Sequence, residues 1–191
     1  RAFATRLVYG TLQMEGSIDH ALAHVAPHGE VHGPPPVIDA LRVGAYQLLF
    51  TDIAGSTQLV HRLGRRYLHV QDRHRTLLRE AIAHSGGVEV DTQGDAFMVS
   101  FPTAGDAVSA AIAAQRALAA EEWPDGTRLQ VRMGLHTGAP ERGPEGYVGM
   151  DVHVAARICG AAHGGQVVVS RATRDLVDLP HVDFQPLGSH R

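Results

Sequence analysis

The stretch FTDIAGST at residues 50–57 decides the predicted fold. It follows Leu48 and Leu49, and this apolar run before Asp52 is typical of a buried strand that enters a turn. Gly55 and the two hydroxyl residues after it are typical of a turn that opens a helix. Backbone N–H groups at a helix start, together with the positive end of the helix dipole, can hold phosphate groups. We therefore predict a phosphate-binding turn formed by Ala54, Gly55, Ser56 and Thr57.

Apolar periodicity and glycine positions predict the elements that follow this turn. A helical region comes first and ends near Ser85, before Gly86 and Gly87. We then expect strand, strand, helix, strand, helix and strand at residues 88–92, 96–101, 104–120, 129–135, 150–162 and 167–169. With the strand that starts at Leu48, this order predicts an α+β fold, a ferredoxin-like βαββαβ palm with an added helix and strand.

Two acidic residues stand where predicted strands end. Asp52 closes the first strand, and Asp95 lies in the turn between the next two. If these strands are neighbours in one sheet, both carboxylates reach the same edge. Such a pair suits two Mg²⁺ or Mn²⁺ ions, because hard cations prefer carboxylate and phosphate oxygens. Each feature alone is common in proteins, but their combination in this order predicts a metal-dependent phosphate site.

Composition limits the classes of protein to consider. The chain has 191 residues, a formal net charge of −3, 44% hydrophobic and 19% charged residues, and one cysteine, Cys159. These values are typical of a globular domain, argue against a general polyanion binder and exclude an intrachain disulfide. No apolar stretch approaches the ~20 residues that span a bilayer, so we expect no membrane partner and a cytoplasmic location. The chain begins at Arg1 without a methionine, as a fragment would.

Residues 1–47 carry a different pattern, which predicts a short all-helical segment. Phe3, Leu7, Val8 and Leu12 recur at the spacing of one helix face. We predict further helices at residues 17–25 and from about residue 36 toward residue 46, with a proline-rich loop between them.

Four motifs together resemble the class III nucleotidyl cyclase domain over residues 48–188. FTDIAGST at residues 50–57 is similar to the metal and phosphate motif of that family, and TQGDAF at residues 92–97 to its second metal motif. MGLHTG at residues 133–138 and YVGMDVHVAAR at residues 147–157 resemble the next strand and the helix with the transition-state residues. We therefore predict a cyclase domain at residues 48–191.

The resemblance implies an adenylate cyclase-type enzyme that works as a homodimer with shared active sites in intracellular signalling. Asp52, Ile53 and Asp95 of one subunit would hold two Mg²⁺ or Mn²⁺ ions on the triphosphate of ATP. The 3′-hydroxyl would then attack the α-phosphorus and release pyrophosphate, giving 3′,5′-cyclic AMP. Arg157 of the other subunit would stabilise charge at the α-phosphate; the alternative is a surface arginine on a helix.

Three positions bear on substrate choice. Where the family usually has a lysine, or a glutamate in guanylate cyclases, this chain has Asp91, and where it has a ribose-orienting asparagine, this chain has His153. Asp151 resembles the adenylate type of base-binding residue. Asp91 cannot donate to adenine N1, and guanine O6 would face Asp151, so neither purine satisfies both carboxylates unless one is protonated. ATP, GTP or a catalytically degenerate module that binds nucleotide or dimerises all stay open.

Residues 1–47 resemble the first half of the helical NusB-type RNA-binding domain, which also begins some ribosomal RNA cytosine methyltransferases. The similarity lies in RAFATRLVYGTL at residues 1–12 and LRVGAYQLLF at residues 41–50. Half a domain cannot close its own core, so we expect it to lean on the cyclase domain. The acidic balance and the missing half argue against RNA binding.

Overall fold

The computed structural model describes residues 7–12, 45–143 and 146–190. Its strands are β1 (Leu7–Leu12), β2 (Tyr46–Ile53), β3 (Val88–Gln93), β4 (Ala96–Phe101), β5 (Val131–Gly138), β6 (Glu141–Gly143), β7 (Gly146–Val148), β8 (Val167–Val169) and β9 (Phe184–His190). Its α-helices are α1 (Ser56–Leu63), α2 (Tyr67–His84), α3 (Ala104–Ala120), α4 (Met150–Ala161) and α5 (Arg171–Arg174). None of these described helices is long and apolar enough to cross a membrane.

A seven-stranded sheet with the order β3-β4-β2-β5-β8-β1-β9 carries the described fold, and β6 and β7 form a separate ribbon. The central strand β2 is antiparallel to β4 on one side and to β5 on the other. From β2 to β8 the order of elements is the predicted palm with its added helix and strand, so the α+β prediction is confirmed.

Alternation along β2 sends its side chains to two layers. Leu49 and Ile53 join the main core, where the alanine-rich face of α3 and the apolar face of α2 cover the sheet. Leu48 belongs to a smaller cluster with Met98 and Ala155, so α4 covers the opposite face. Asp52 shares this second face, because it lies four residues after Leu48 in a strand with a period of two.

The helix predicted from Leu7, Val8 and Leu12 is wrong, because Leu7–Leu12 forms strand β1. This strand pairs in parallel with β8 and with β9, so its backbone groups are satisfied within the sheet. Tertiary pairing therefore overrides the helical spacing, as the leucine, valine and tyrosine of LVYGTL also suit a strand. Tyr46 likewise belongs to β2 and not to a helix. The helices predicted between residues 13 and 44 lie outside the described residues.

Helix α4 approaches β5 closely at two glycines. A Cβ at Gly134 would lie 2.2 Å from the backbone nitrogen of Cys159, and a Cβ at Gly138 would lie 2.4 Å from the carboxyl carbon of Asp151. Only a residue without a side chain allows this spacing. The two glycines thus fix the distance between the helix and the strand on the Asp52 side of the sheet.

We expect Gly134→Ala to destabilise the protein by ~1–3 kcal/mol, because the added methyl group meets backbone atoms that cannot rotate away. Gly160→Ala is the matched control, since Gly160 lies in α4, the helix that packs against Gly134, and a Cβ there has no neighbour within 4 Å. That control should be neutral or slightly stabilising. Urea unfolding of both variants makes the comparison, and equal stabilities would contradict this account.

His74 is a polar residue in the apolar core. Its side chain lies on α2 with no exposed surface, its ring faces the edge of Phe97 at 6.0 Å, and neither ring nitrogen has a hydrogen-bond partner among the described residues. Burial lowers the pKa of His74 to about 4, and the charge of Arg75 acts in the same direction. The folded protein therefore keeps this imidazole neutral.

The low pKa of His74 predicts that the folded protein loses stability as the pH is lowered. The unfolded chain takes up the proton near pH 6.5 and the folded chain only near pH 4, so stability is lost as the pH falls through this window. The loss amounts to about 3 kcal/mol at pH 4. His74→Leu should remove it, whereas His84→Gln, at an exposed histidine, should not. Denaturant unfolding between pH 7 and pH 4 measures the difference, and parallel pH curves for His74→Leu and the parent would rule this out.

Candidate functional site

The structure brings Asp52 and Asp95 together at one edge of the sheet. Asp52 is the penultimate residue of β2, and Asp95 follows Gly94, whose φ of +63° forms the turn between β3 and β4. The Ile53 N–H and the Ser56 hydroxyl lie close enough to the Asp95 carboxylate to favour its charged form and so lower its pKa. Because these two donors flank the end of β2, Asp95 lies directly beside the strand end that carries Asp52.

One of the two carboxylate oxygens of Asp95 lacks a hydrogen-bond donor among the described residues. Burial raises the pKa of Asp95, and the negative charge of Asp52 raises it further, although its own backbone N–H, the Ser56 hydroxyl and the Ile53 N–H oppose this shift. Its Oδ2 atom is buried and has no hydrogen-bond partner among the described residues. A buried carboxylate oxygen without a donor, next to a second carboxylate, fits a divalent cation.

The donor set is made of oxygen atoms. Within residues 7–12, 45–143 and 146–190, no three His, Cys, Asp or Glu side chains form a metal-binding group. Asp52 and Asp95 would therefore need further oxygen ligands from the backbone, from water or from a bound phosphate. Such a set suits Mg²⁺ or Mn²⁺ and not zinc, which prefers nitrogen and sulfur.

Arg132 is a site residue that the sequence analysis missed. It lies opposite Asp52 in the β2–β5 register and donates from Nε to Asp52 Oδ2 at 2.9 Å. Its Nη2 donates to the same oxygen. Alternation along VRMGLHTG could have shown that Arg132 faces away from the core side of Val131 and Met133. The sequence alone does not reveal the strand register that places Arg132 opposite Asp52.

The predicted phosphate-binding turn opens helix α1. Gly55 has a φ of +71°, and no side chain caps the helix. The Ala54 N–H already donates to the carbonyl of Gln130 at 2.8 Å, so it is not free for a ligand. The N–H groups of Gly55, Ser56 and Thr57 therefore remain the donors of this turn that a phosphate could use.

An open cleft of about 470 Å³ begins at this turn. Ala54 and Gly55 line it on one side, and the side chains of Arg62 and Arg128 line it as well. Arg62 also donates to the Thr127 hydroxyl at 3.0 Å, which holds its guanidinium in position. The surroundings of the turn thus carry positive charge.

The two predicted base-binding residues occupy different environments. Asp91 is exposed on the edge strand β3, where its carboxylate accepts from the Thr92 N–H at 2.8 Å and from Gln93 Nε2 at 2.9 Å. Asp151 is buried, and its carboxylate accepts from the Ala139 N–H at 2.7 Å and lies 3.2 Å from His136 Nε2. These partners engage both oxygens of Asp151 in its own chain, and its role in base binding stays a prediction.

His153 and Arg157 share one face of α4. They are four residues apart in the helix, and both are exposed. Neither makes a hydrogen bond or an ion pair with another residue of the described ranges. Their side chains are accessible to a molecule outside the chain, which is the position required of residues that complete another subunit's site.

Comparisons with known proteins agree with this geometry. The family model described as "Adenylate and Guanylate cyclase catalytic domain" matches residues 38–190, and the model of the NusB family matches residues 1–59. An adenylate cyclase of Podospora anserina is 34% identical over 85% of this chain, and one of Mycosarcoma maydis is 38% identical over 68%. An uncharacterized protein of Mycobacterium tuberculosis is 36% identical over 70%. The chain spans only 9%, 6% and 45% of the lengths of these three relatives.

Solved cyclase structures share the fold. A monomeric adenylate cyclase structure of Trypanosoma brucei superposes with a TM-score of 0.66 at 25% identity, covering 72% of this chain and 78% of that one. An adenylate/guanylate cyclase/hydrolase of Silicibacter pomeroyi gives a TM-score of 0.58 at 31% identity, covering 71% and 83%. With the match over residues 38–190, these likenesses show that the chain belongs to the adenylate and guanylate cyclase catalytic domain family.

Proposed function

We propose that this chain is a nucleotidyl cyclase domain that converts ATP to 3′,5′-cyclic AMP and pyrophosphate in intracellular signalling. The observation that supports this most is the pair of carboxylates, Asp52 and Asp95, beside the uncapped start of helix α1. The buried, unpartnered Oδ2 of Asp95 favours a cation at this point. The names of the fungal relatives favour ATP as the substrate.

Asp52, Asp95 and the backbone carbonyl of Ile53 would hold two Mg²⁺ or Mn²⁺ ions. Bound there, the ions would neutralise phosphate charge and favour ionisation of the ribose 3′-hydroxyl. The N–H groups of Ser56 and Thr57 would hold phosphate oxygens at the helix start. In the reaction the 3′-oxygen bonds to the α-phosphorus, the bond from that phosphorus to the β-phosphate oxygen breaks, and the 3′-hydroxyl proton passes to solvent.

Arg157 and His153 would complete the site from a second copy of the chain. Arg157 of the partner subunit would donate to the oxygens of the α-phosphate, where negative charge grows in the transition state. His153 of the partner subunit would donate one hydrogen bond to the ribose. Their exposure on α4, without partners in their own described chain, supports a homodimer with shared sites.

A second candidate function is a regulatory module that binds nucleotide or dimerises without turnover. The observations that favour it are the acceptor-only Asp91 in the exposed edge strand and the buried carboxylate of Asp151. Leaving a buried polar group of the base unpaired costs ~1–3 kcal/mol in binding. Binding of metal and nucleotide without product would then be the whole activity of the domain.

Asp52→Ala should abolish cyclic nucleotide formation, lowering the rate by about 100-fold or more, because it removes a metal ligand. The measurement is product formation by the purified chain with ATP or GTP and Mn²⁺. Asp72→Ala, at an exposed aspartate of α2, is the control and should retain the parent rate. If the parent makes no product but still binds ATP in a metal-dependent way, the regulatory module replaces the enzyme. Equal product from Asp52→Ala and the parent would refute the two-carboxylate site.

Asp91→Lys should raise the ratio of cyclic AMP to cyclic GMP formed by roughly tenfold. A lysine can donate a hydrogen bond to adenine N1, whereas the negative Asp91 carboxylate would repel that nitrogen. Asp91→Ala is the matched control, since it removes the carboxylate without adding a donor. Adding His153→Asn should lower KM for either nucleotide if His153 contacts the ribose. A ratio that is the same in Asp91→Lys and Asp91→Ala would mean that Asp91 does not face the base.

A further inference from the structure

The ion pair between Arg132 and Asp52 occupies one of the two carboxylate oxygens through which Asp52 could bind a metal ion. Two of the three guanidinium nitrogens of Arg132, Nε and Nη2, donate to the same atom, Asp52 Oδ2. The two side chains are only 35% and 27% exposed, so the pair is partly withdrawn from water. Among the described residues, Arg132 is the one side chain that hydrogen-bonds to Asp52.

In the chain without metal, the positive charge of Arg132 reduces the repulsion between the carboxylates of Asp52 and Asp95. Asp52 and Asp95 are neighbouring carboxylates, and the charge of Asp52 raises the pKa of Asp95 further after burial has raised it. Arg132 contributes one positive charge against these two, and it interacts with Asp95 as well as with Asp52. One cation therefore stabilises the pair in part, while Asp95 Oδ2 is left without a donor.

We propose that Arg132 is a positioning residue that serves as the built-in counter-ion of Asp52 and competes with the divalent ion for Asp52 Oδ2. This inference rests on the metal site of the proposed function. A metal ion at Asp52 Oδ2 must displace Arg132, and one at Oδ1 would lie beside its positive charge, so the ion pair stabilises the metal-free chain and weakens metal binding. Arg132 thereby sets the metal concentration at which the site fills.

Two opposite effects follow from this competition. Without Arg132 the metal-free chain has two carboxylates and no counter-ion, so it is less stable. The same change leaves Asp52 Oδ2 open, so Mn²⁺ binds more tightly, on the order of three- to tenfold for a partly exposed pair. Because ligand that binds the folded state stabilises it, the rise in Tm on adding Mn²⁺ should be larger in Arg132→Met than in the parent.

The test uses the full chain without nucleotide. Mn²⁺ binding is titrated by calorimetry, and thermal unfolding is followed in EDTA and in excess Mn²⁺, for the parent, Arg132→Met and Arg132→Lys. Arg128→Met is the matched control, because it changes the net charge equally but Arg128 lines the cleft at the turn and has no hydrogen bond to Asp52. We expect Mn²⁺ affinity to rise in the order parent, Arg132→Lys, Arg132→Met, with Arg128→Met close to the parent.

Several results would overturn the proposal. Unchanged or weaker Mn²⁺ binding by Arg132→Met would do so, as would an equal gain in Arg128→Met, since that would reflect net charge alone. Absence of Mn²⁺ binding in both the parent and Arg132→Met would also overturn it. If Arg132→Met folds only with Mn²⁺, the proposal is supported; if it folds in neither condition, the affinity of Arg132→Lys decides.

The same measurements separate this inference from the cyclase proposal. A shift in Mn²⁺ affinity without any cyclic nucleotide product leaves the counter-ion role standing and removes the enzyme. Product formation by the parent, with Mn²⁺ affinity unaffected by Arg132→Met and Arg132→Lys, retains the enzyme and removes the counter-ion role.

Discussion

The antiparallel pairing of β2 with β4 and β5 is the constraint on which the site depends. It sets Asp52 opposite Arg132 and Ile53 opposite Val131, and the turn between β3 and β4 then carries Asp95 to the same edge. A slip of one residue in this register would turn Asp52 toward the main core and would turn both Leu49 and Ile53 away from it. The burial of those two residues in the main core therefore holds the carboxylate in register, and apolar packing specifies the position of a charged group.

The site is electrostatically unfavourable in the chain by itself, and this is a usual property of functional sites. Two carboxylates share one edge with a single guanidinium, and burial raises the pKa of Asp95 above its ordinary value. The folded state accepts this cost because the surrounding sheet is well packed. His74 adds a separate cost in the core, since its ring nitrogens are unpaired and its charged form is excluded. Stability is thus spread unevenly, with the core compensating for the polar groups that it encloses.

The sequence predicted what depends on local pattern and missed what depends on register or on partners distant in the chain. The strand before Asp52, the turn with Gly94 and the helix of residues 104–120 follow from periodicity and glycine alone. The approach of Asp52 to Asp95 depends in addition on the pairing of β2 with β4. The sequence did not reveal the role of Arg132, because its contact with Asp52 depends on the pairing of β2 with β5. The helix expected at Leu7 and Val8 was wrong because the open edge of β8 offered backbone partners that helical spacing cannot reveal.

The buried carboxylate of Asp151 links helix α4 to the end of strand β5. Gly138 leaves room for the Asp151 carboxylate, which the Ala139 N–H then holds at the end of β5 beside His136. These contacts tie the first turn of α4 to the strand and so orient the helix that carries Arg157. The predicted role of Asp151 in base binding requires that this carboxylate accept from the base in addition to these partners, which its remaining lone pairs allow. The Asp91 carboxylate could accept from guanine N1–H and the 2-amino group but offers adenine N1 no donor, so the proposal of ATP as substrate is supported by the adenylate cyclase relatives and not by Asp91.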